Sequence, residues 1–86
     1  MSAGSRYDRT AVEKVVVDQV EAMGVESAAI HPDATLEALG LDSLDLVELS
    51  QGVRRELDVP VHPKDFAEVK TLADALDVIF RKAGLR

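Results

Sequence analysis

Ser43 is the residue around which chemistry can be built. It stands in the run Gly40-Leu41-Asp42-Ser43-Leu44-Asp45-Leu46-Val47-Glu48, a primary hydroxyl at the start of an amphipathic segment and just after a glycine-containing loop. The first N–H groups of a helix lack intrahelical partners, and the positive end of the helix dipole favours an anion. A hydroxyl held there is accessible and suited to attachment through a phosphodiester. Asp42 occupies the natural N-cap position, Asp45 the third helical position and Glu48 the next turn, all acids where the dipole stabilises acid.

Other uses of these residues must be weighed. Asp42-Ser43 alone is an ordinary helix cap of a kind found in many proteins. An enzyme reading would make Ser43 a nucleophile assisted by His62 and an acid, with a loose likeness to the Gly-Asp-Ser-Leu motif of some esterases. That likeness breaks at Leu41, which separates Gly40 from Asp42, and no Gly-rich oxyanion segment accompanies the serine. A catalytic role is therefore not expected. His31 and His62 read as loop residues. With no Cys and only those two histidines, a zinc site is not expected.

The elements that must position Ser43 follow from apolar spacing. Val12, Val15, Val16, Val20 and Met23 share one face of a first helix, opened by Thr10 with Glu13 in capping-box form and stopped by Gly24. Tyr7 and Asp8 offer an earlier start. From Val25 to Leu41 the period is lost, and Ile30, Leu36 and Leu39 must anchor an ordered wrap containing at most a short helical turn. A second helix is expected from about Ser43 to Leu57, burying Leu46, Leu49, Val53 and Leu57. Leu44 falls on its outer face with Glu48, Gln51 and Arg55. Pro60 and Pro63 bar continuation, and Pro63 suits the first turn of a short third helix running to Val69. Thr71 with Asp74 repeats the capping-box form before a fourth stripe of Leu72, Ala75, Leu76 and Ile79, which ends at Arg81 and Lys82. Gly52 inside the second helix costs about 0.5–1 kcal/mol relative to alanine. It is read either as a tolerated loss, the favoured reading, or as room for a close neighbour.

The expectation is an all-α four-helix bundle with three longer helices and a short third one. Residues 1–6 form a flexible start, 7–82 the domain and 83–86 a tail. The 86 residues suffice for one core, and 47% apolar with 30% charged is a globular balance. With one Tyr, two Phe and no Trp the core must be aliphatic. A net charge of −6 opposes binding to nucleic acid; by itself it reads first as a solubilising surface and second as attraction to basic protein surfaces, which the placement of the acids must decide. No apolar run is long enough to span a bilayer and residues 1–6 do not resemble a signal peptide, so a soluble, cytoplasmic monomer is expected. Met1 points to a free-standing chain.

Taken together, Gly40 through Glu48, the Leu36 and Leu39 spacing before them and the flanking helical stripes resemble the acyl carrier protein family. The likeness extends from the first helix through the fourth stripe. It implies that Ser43 receives a 4′-phosphopantetheine arm from coenzyme A, and that acyl groups ride on the arm as thioesters. It further implies recognition through Asp42, Asp45 and Glu48, to which Leu44, by its outward place beside the serine, and Val47 are added as candidates. The expected partners are a phosphopantetheinyl transferase and loading, condensing and transfer enzymes with basic docking surfaces. Arg54 and Arg55 depart from the acidic character common lower on that helix. Val47, Val61, Phe66, Leu72 and Leu76 are the candidate acyl pocket, unless Phe66 closes it. Fatty acyl and polyketide cargo, an aminoacyl or peptidyl carrier role, and an unmodified helical adaptor remain open at this level.

Overall fold

A computed structural model of the chain describes residues 8–85; the start expected to be flexible, 1–6, lies outside them. Among the described residues there are three α-helices, α1 (Arg9–Ala22), α2 (Ser43–Leu57) and α3 (Leu72–Lys82). Two short 3₁₀ helices, Ser27–Ala29 and Pro63–Phe66, lie in the connections. The only β-type pairing among these residues is an isolated bridge between Thr35 and Thr71. The fold is all-α, but the expected bundle of four is corrected to three α-helices. The segment expected as a short third helix closes only i→i+3 bonds, Asp65 N–H to His62 O and Ala67 N–H to Lys64 O, with Val69 N–H to Phe66 O beyond it. Tighter winding of this kind brings residues three apart onto one side, which turns both Phe66 and Val69 inward.

Val12, Val16 and Val20 of α1, Leu49, Val53 and Leu57 of α2, and Leu72, Ala75, Leu76 and Ile79 of α3 meet in one core with Val61 and Phe66 of the linker. Full burial of such a Val or Leu contributes about 1.5–3 kcal/mol, so packing holds the β-branched α1 helical against its weak propensity. Val15, Met23 and Leu46 pack at its margin, half-buried. A smaller cluster of Ala34, Leu36 and Leu39 anchors the long connection.

Capping sets the helix ends. Asp8, not Thr10, begins α1, its carboxylate accepting from Ala11 N–H at 2.9 Å; Thr10 is inside the helix. An aspartate adds charge at the positive end of the dipole, which the threonine would not. At the far end of the chain Leu85 N–H donates to Phe80 O and Gly84 N–H to Arg81 O, a Schellman closure with Leu85 packed on the core. Residues 83–85 of the expected tail are thus part of the α3 cap. Arg54 turns out to be structural, its Nη1 donating at 2.6 Å to Val61 O and tying α2 to the linker.

Gly52 is buried, and a Cβ built there would collide with the side-chain amide of Gln19 on α1. The space a Cβ would take is thus filled by a side chain of the neighbouring helix, and not by its backbone, and this stands beside the favoured reading of tolerated loss. The obstacle is the end of a flexible side chain, so Gly52→Ala is expected to change stability by less than about 0.5 kcal/mol in the wild type. In a Gln19→Ala background it should stabilise by about 0.5–1 kcal/mol, the helix-propensity gain. A urea-denaturation cycle checks this; destabilisation in both backgrounds would show that α1 itself, and not Gln19, needs the space.

The start of α3 is closed. Thr71 Oγ1 accepts from Asp74 N–H at 3.1 Å, and the Asp74 carboxylate accepts from Thr71 and Lys70 N–H at 3.3 Å each. These backbone bonds, to Lys70 first and then Thr71, hold the Asp74 carboxyl below the usual carboxylate range. Asp65 is lowered likewise, chiefly by the His62 N–H it accepts, with help from Lys82 at 3.6 Å. A carboxyl depressed in the folded state stabilises fully above its unfolded pKa, and that contribution is lost as pH falls through the folded value. Thermal midpoints should therefore drop below about pH 4. Asp74→Asn, which keeps an acceptor but does not titrate, should flatten that decline in a pH series of melting curves; an unchanged slope would assign the acid sensitivity elsewhere.

Candidate functional site

The chain enters the site through a single helical turn. Leu39 N–H bonds to Thr35 O and Ala38 N–H to Thr35 Oγ1, and the turn closes through Leu41 N–H to Leu36 O and Gly40 N–H to Glu37 O. Closure needs Gly40 at φ 76°, a left-handed conformation that favours glycine. Leu36 and Leu39 are thereby buried, and Asp42 and Ser43 emerge exposed. Asp42 caps α2, accepting from Asp45 N–H at 3.0 Å, and the Asp45 carboxylate returns the bond from Asp42 N–H at 3.1 Å. Both acids expected at the helix start are therefore tied into one capping box.

Ser43 is the first residue of α2. Its hydroxyl makes no hydrogen bond among the described residues, and neither its N–H nor that of Leu44 is taken up by them. The start of α3 contrasts sharply: there Leu72 N–H donates to Ala34 O at 2.9 Å and Ala73 N–H to Pro32 O at 3.0 Å, under the long connection. That connection thus seals one helix start and leaves the other open. Ser50, the other serine of α2, is fully buried and donates to Val47 O at 2.8 Å. The donors left at Ser43 and Leu44 and the field of α2 fit a phosphodiester on the Ser43 hydroxyl.

A solvent-open groove of about 540 Å³ runs from Ser43 between the first half of α2 and the Pro63–Phe66 turn, with Leu36, Leu46, Val47, Phe66 and Val69 in its walls. Of the five candidate pocket residues, Val47 and Phe66 line it. Val61, Leu72 and Leu76 do not; all three are buried in the core behind. Leu36, Leu46 and Val69, read from the sequence only as core or linker residues, also line the groove, because the wrap and the 3₁₀ linker close over the first half of α2. Of the candidate recognition residues, Asp42, Leu44 and Glu48 are exposed, while Asp45 and Val47 are half-buried. Leu44 is 74% exposed, the one large apolar residue so placed among the described residues. His31 and His62 are exposed loop residues, and no cluster of potential metal ligands occurs among the described residues. No described helix is long and apolar enough to cross a membrane.

Comparison with known proteins agrees with this geometry. The family profile described as phosphopantetheine attachment site matches residues 19–79, a span that contains Ser43 and the whole groove. The acyl carrier protein of Solidesulfovibrio magneticus is 36% identical over 74 residues, covering 85% of this chain and 91% of that protein. Those of two Nitratidesulfovibrio vulgaris strains are 35% identical over 72 residues, covering 83% of this chain and 91% of theirs. No solved structure matches significantly. A phosphopantetheine-attachment profile across the bundle, together with relatives of matching length, makes this chain a member of the acyl carrier protein family, whose cofactor is covalent 4′-phosphopantetheine.

Proposed function

We propose that Ser43 is the attachment residue and that the chain carries acyl groups between enzymes of fatty acid, polyketide or related biosynthesis. The observation that carries the assignment is the difference between the starts of α2 and α3: among the described residues nothing takes up the Ser43 and Leu44 donors at α2, while the start of α3 is sealed by Ala34 and Pro32 carbonyls. On a phosphopantetheinyl transferase, the Ser43 hydroxyl displaces adenosine 3′,5′-bisphosphate from coenzyme A, loses its proton and forms a phosphodiester. The bound arm supplies a terminal thiol that holds the acyl group as a thioester. This chain's own part is to hold the hydroxyl outward, to receive the phosphate at the start of α2, and to present Asp42, Leu44, Asp45, Val47 and Glu48 to basic enzyme surfaces. Chemistry on the cargo belongs to those enzymes. Because coenzyme A is the donor, modification is assigned to the cytoplasm.

The relatives' name, acyl carrier protein, supports acyl over aminoacyl or peptidyl cargo. Intact mass tests the carrier reading: chain isolated from its own host, or incubated with coenzyme A and a transferase, should gain one phosphopantetheinyl group. A chain that stays unmodified under both conditions would instead be a helical adaptor docking through Leu44.

A further inference from the structure

We propose that Thr35 is a positioning residue for the transfer to Ser43: its hydroxyl holds the turn that leads into α2 onto a segment anchored at the start of α3, and so fixes how the serine is presented. This inference rests on Ser43 being the attachment residue. In the transfer the serine oxygen bonds to the coenzyme A phosphorus as the bond to adenosine 3′,5′-bisphosphate breaks, and the hydroxyl proton passes to a base on the transferase. Such a step needs the attacking oxygen roughly in line with the leaving one, and a misplacement of about 1 Å can cost about a hundredfold in rate.

Little else restrains the start of α2. The Ser43 hydroxyl and the N–H groups of Ser43 and Leu44 have no partner among the described residues, and the first turn is closed by the Asp42 and Asp45 box and by Leu46 N–H on Asp42 O at 3.0 Å. A helix end held so lightly frays unless the segment before it is fixed. Thr35 fixes it from two sides. Leu36 N–H donates to Lys70 O and Leu72 N–H to Ala34 O, each at 2.9 Å, so backbone bonds flank Thr35 and pair it with Thr71, the cap of α3. Toward α2 the Thr35 hydroxyl accepts from Ala38 N–H at 3.0 Å and its carbonyl from Leu39 N–H at 3.1 Å, opening the turn that closes at Gly40 and Leu41. Only Asp42 then separates this turn from Ser43. Thr35 is exposed, so the hydroxyl bond, and not burial, is what its side chain contributes. Leu44 and Glu48, the exposed docking candidates, lie beyond Ser43 on α2 and do not depend on that bond.

The test compares Thr35→Val, which keeps the side-chain shape and loses the acceptor, with Thr35→Ser, which keeps the acceptor. Each is mixed in single turnovers with a phosphopantetheinyl transferase holding coenzyme A, added mass is followed against carrier concentration, and amide hydrogen exchange is recorded on the unmodified chain. Thr35→Val should show a limiting rate about tenfold or more below wild type, with the half-saturating concentration within about twofold of it. Its Ala38, Leu41 and Leu46 amides should exchange faster while those of Leu49 and Ile79 in the core stay as slow as in wild type. Thr35→Ser should restore both the rate and the protection. Should Thr35→Val not fold, Thr35→Ala takes its place with the same expected split. A wild-type limiting rate in the folded variant overturns the proposal, as does unchanged exchange at Leu46 or a Thr35→Ser protein as slow as Thr35→Val. A raised half-saturating concentration at an unchanged limiting rate overturns it as well, and makes Thr35 a docking residue. Absence of added mass on the wild type is a different failure, that of the carrier assignment, and is read before any rate.

Discussion

Ser43→Ala is expected to fold as the wild type does and to gain no mass when incubated with coenzyme A and a phosphopantetheinyl transferase. The effect on modification is all-or-none because the substitution removes the only nucleophilic atom at the open start of α2. Ser50, the other hydroxyl of that helix, is fully buried with its Oγ engaged by Val47 O. The stability side of the prediction is equally specific. Capping of α2 belongs to the reciprocal bonds of Asp42 and Asp45, and Ser43 at the first helical position contributes no side-chain bond to it. Loss of the hydroxyl should therefore shift the denaturation free energy by less than about 0.5 kcal/mol, as for an ordinary surface substitution. Asp42→Ala, by contrast, removes the cap and should cost about 1 kcal/mol while leaving Ser43 chemically competent. The two variants separate chemistry from capping: one folds normally and stays unmodified, the other is weakened and, lacking one acid of the docking face, takes the arm more slowly. Added mass on Ser43→Ala, mapped by peptide digestion to Ser27, Thr35 or another exposed hydroxyl, would move the attachment site.

How much of this was legible beforehand depended on whether the signal was local. α2 could be read from its first residue to its last, because Asp42, the spacing of Leu49, Val53 and Leu57, and Pro60 beyond them are all local information. The Thr71 and Asp74 box was legible for the same reason. Asp8 was weighed only as an extension of α1, since Thr10 with Glu13 offered an equally regular local pattern; only the Asp8 bond to Ala11 N–H decides between them. Contacts between distant segments left no trace in the sequence. Nothing local tells that Pro32 and Ala34 carbonyls seal α3, that Gln19 lies over Gly52, or that Arg54 reaches Val61 O. The candidate pocket residues are divided between groove and core for this reason. Val61, Leu72 and Leu76 were grouped with Val47 and Phe66 as apolar residues of neighbouring elements, but the tight winding of Pro63–Phe66 turns the Phe66 ring between the groove and the core. The exposed helix start at Ser43 was legible because the residues that build it are contiguous, whereas the groove beside it is assembled from three separate segments.

Reversal of charge at Asp45 and Glu48 is the second large effect expected. The double substitution to Lys should slow modification and weaken partner binding about tenfold or more at low salt, since attraction beside Ser43 becomes repulsion at both positions. The fold separates the two acids in a way that spacing alone does not. Glu48 is exposed and its side chain makes no hydrogen bond or ion pair among the described residues, so Glu48→Lys reports on recognition with little structural cost. Asp45 is half-buried and accepts from Asp42 N–H, so Asp45→Lys also breaks the capping box, at a cost of about 1 kcal/mol, and places a cation at the positive end of the helix. Denaturation of each variant must therefore accompany the kinetics, and only the loss of rate in a folded protein counts as recognition. Salt supplies an independent check: exposed charges are screened beyond about 10 Å at 0.1 M ionic strength, so the wild type's advantage should shrink as salt rises. Arg55→Glu works in the opposite sense. Arg55 is 67% exposed and, one further turn along the face of Leu44, Glu48 and Gln51, interrupts an otherwise acidic or neutral stripe. Removing that cation should strengthen binding to a basic partner surface, and the gain should also fade with salt. If folded Glu48→Lys is modified as fast as wild type at low salt and Arg55→Glu changes nothing, the acids serve α2 alone. Recognition then passes to Leu44, whose apolar side chain stands beside Ser43 in solvent and whose replacement by Ala would have to produce the loss instead.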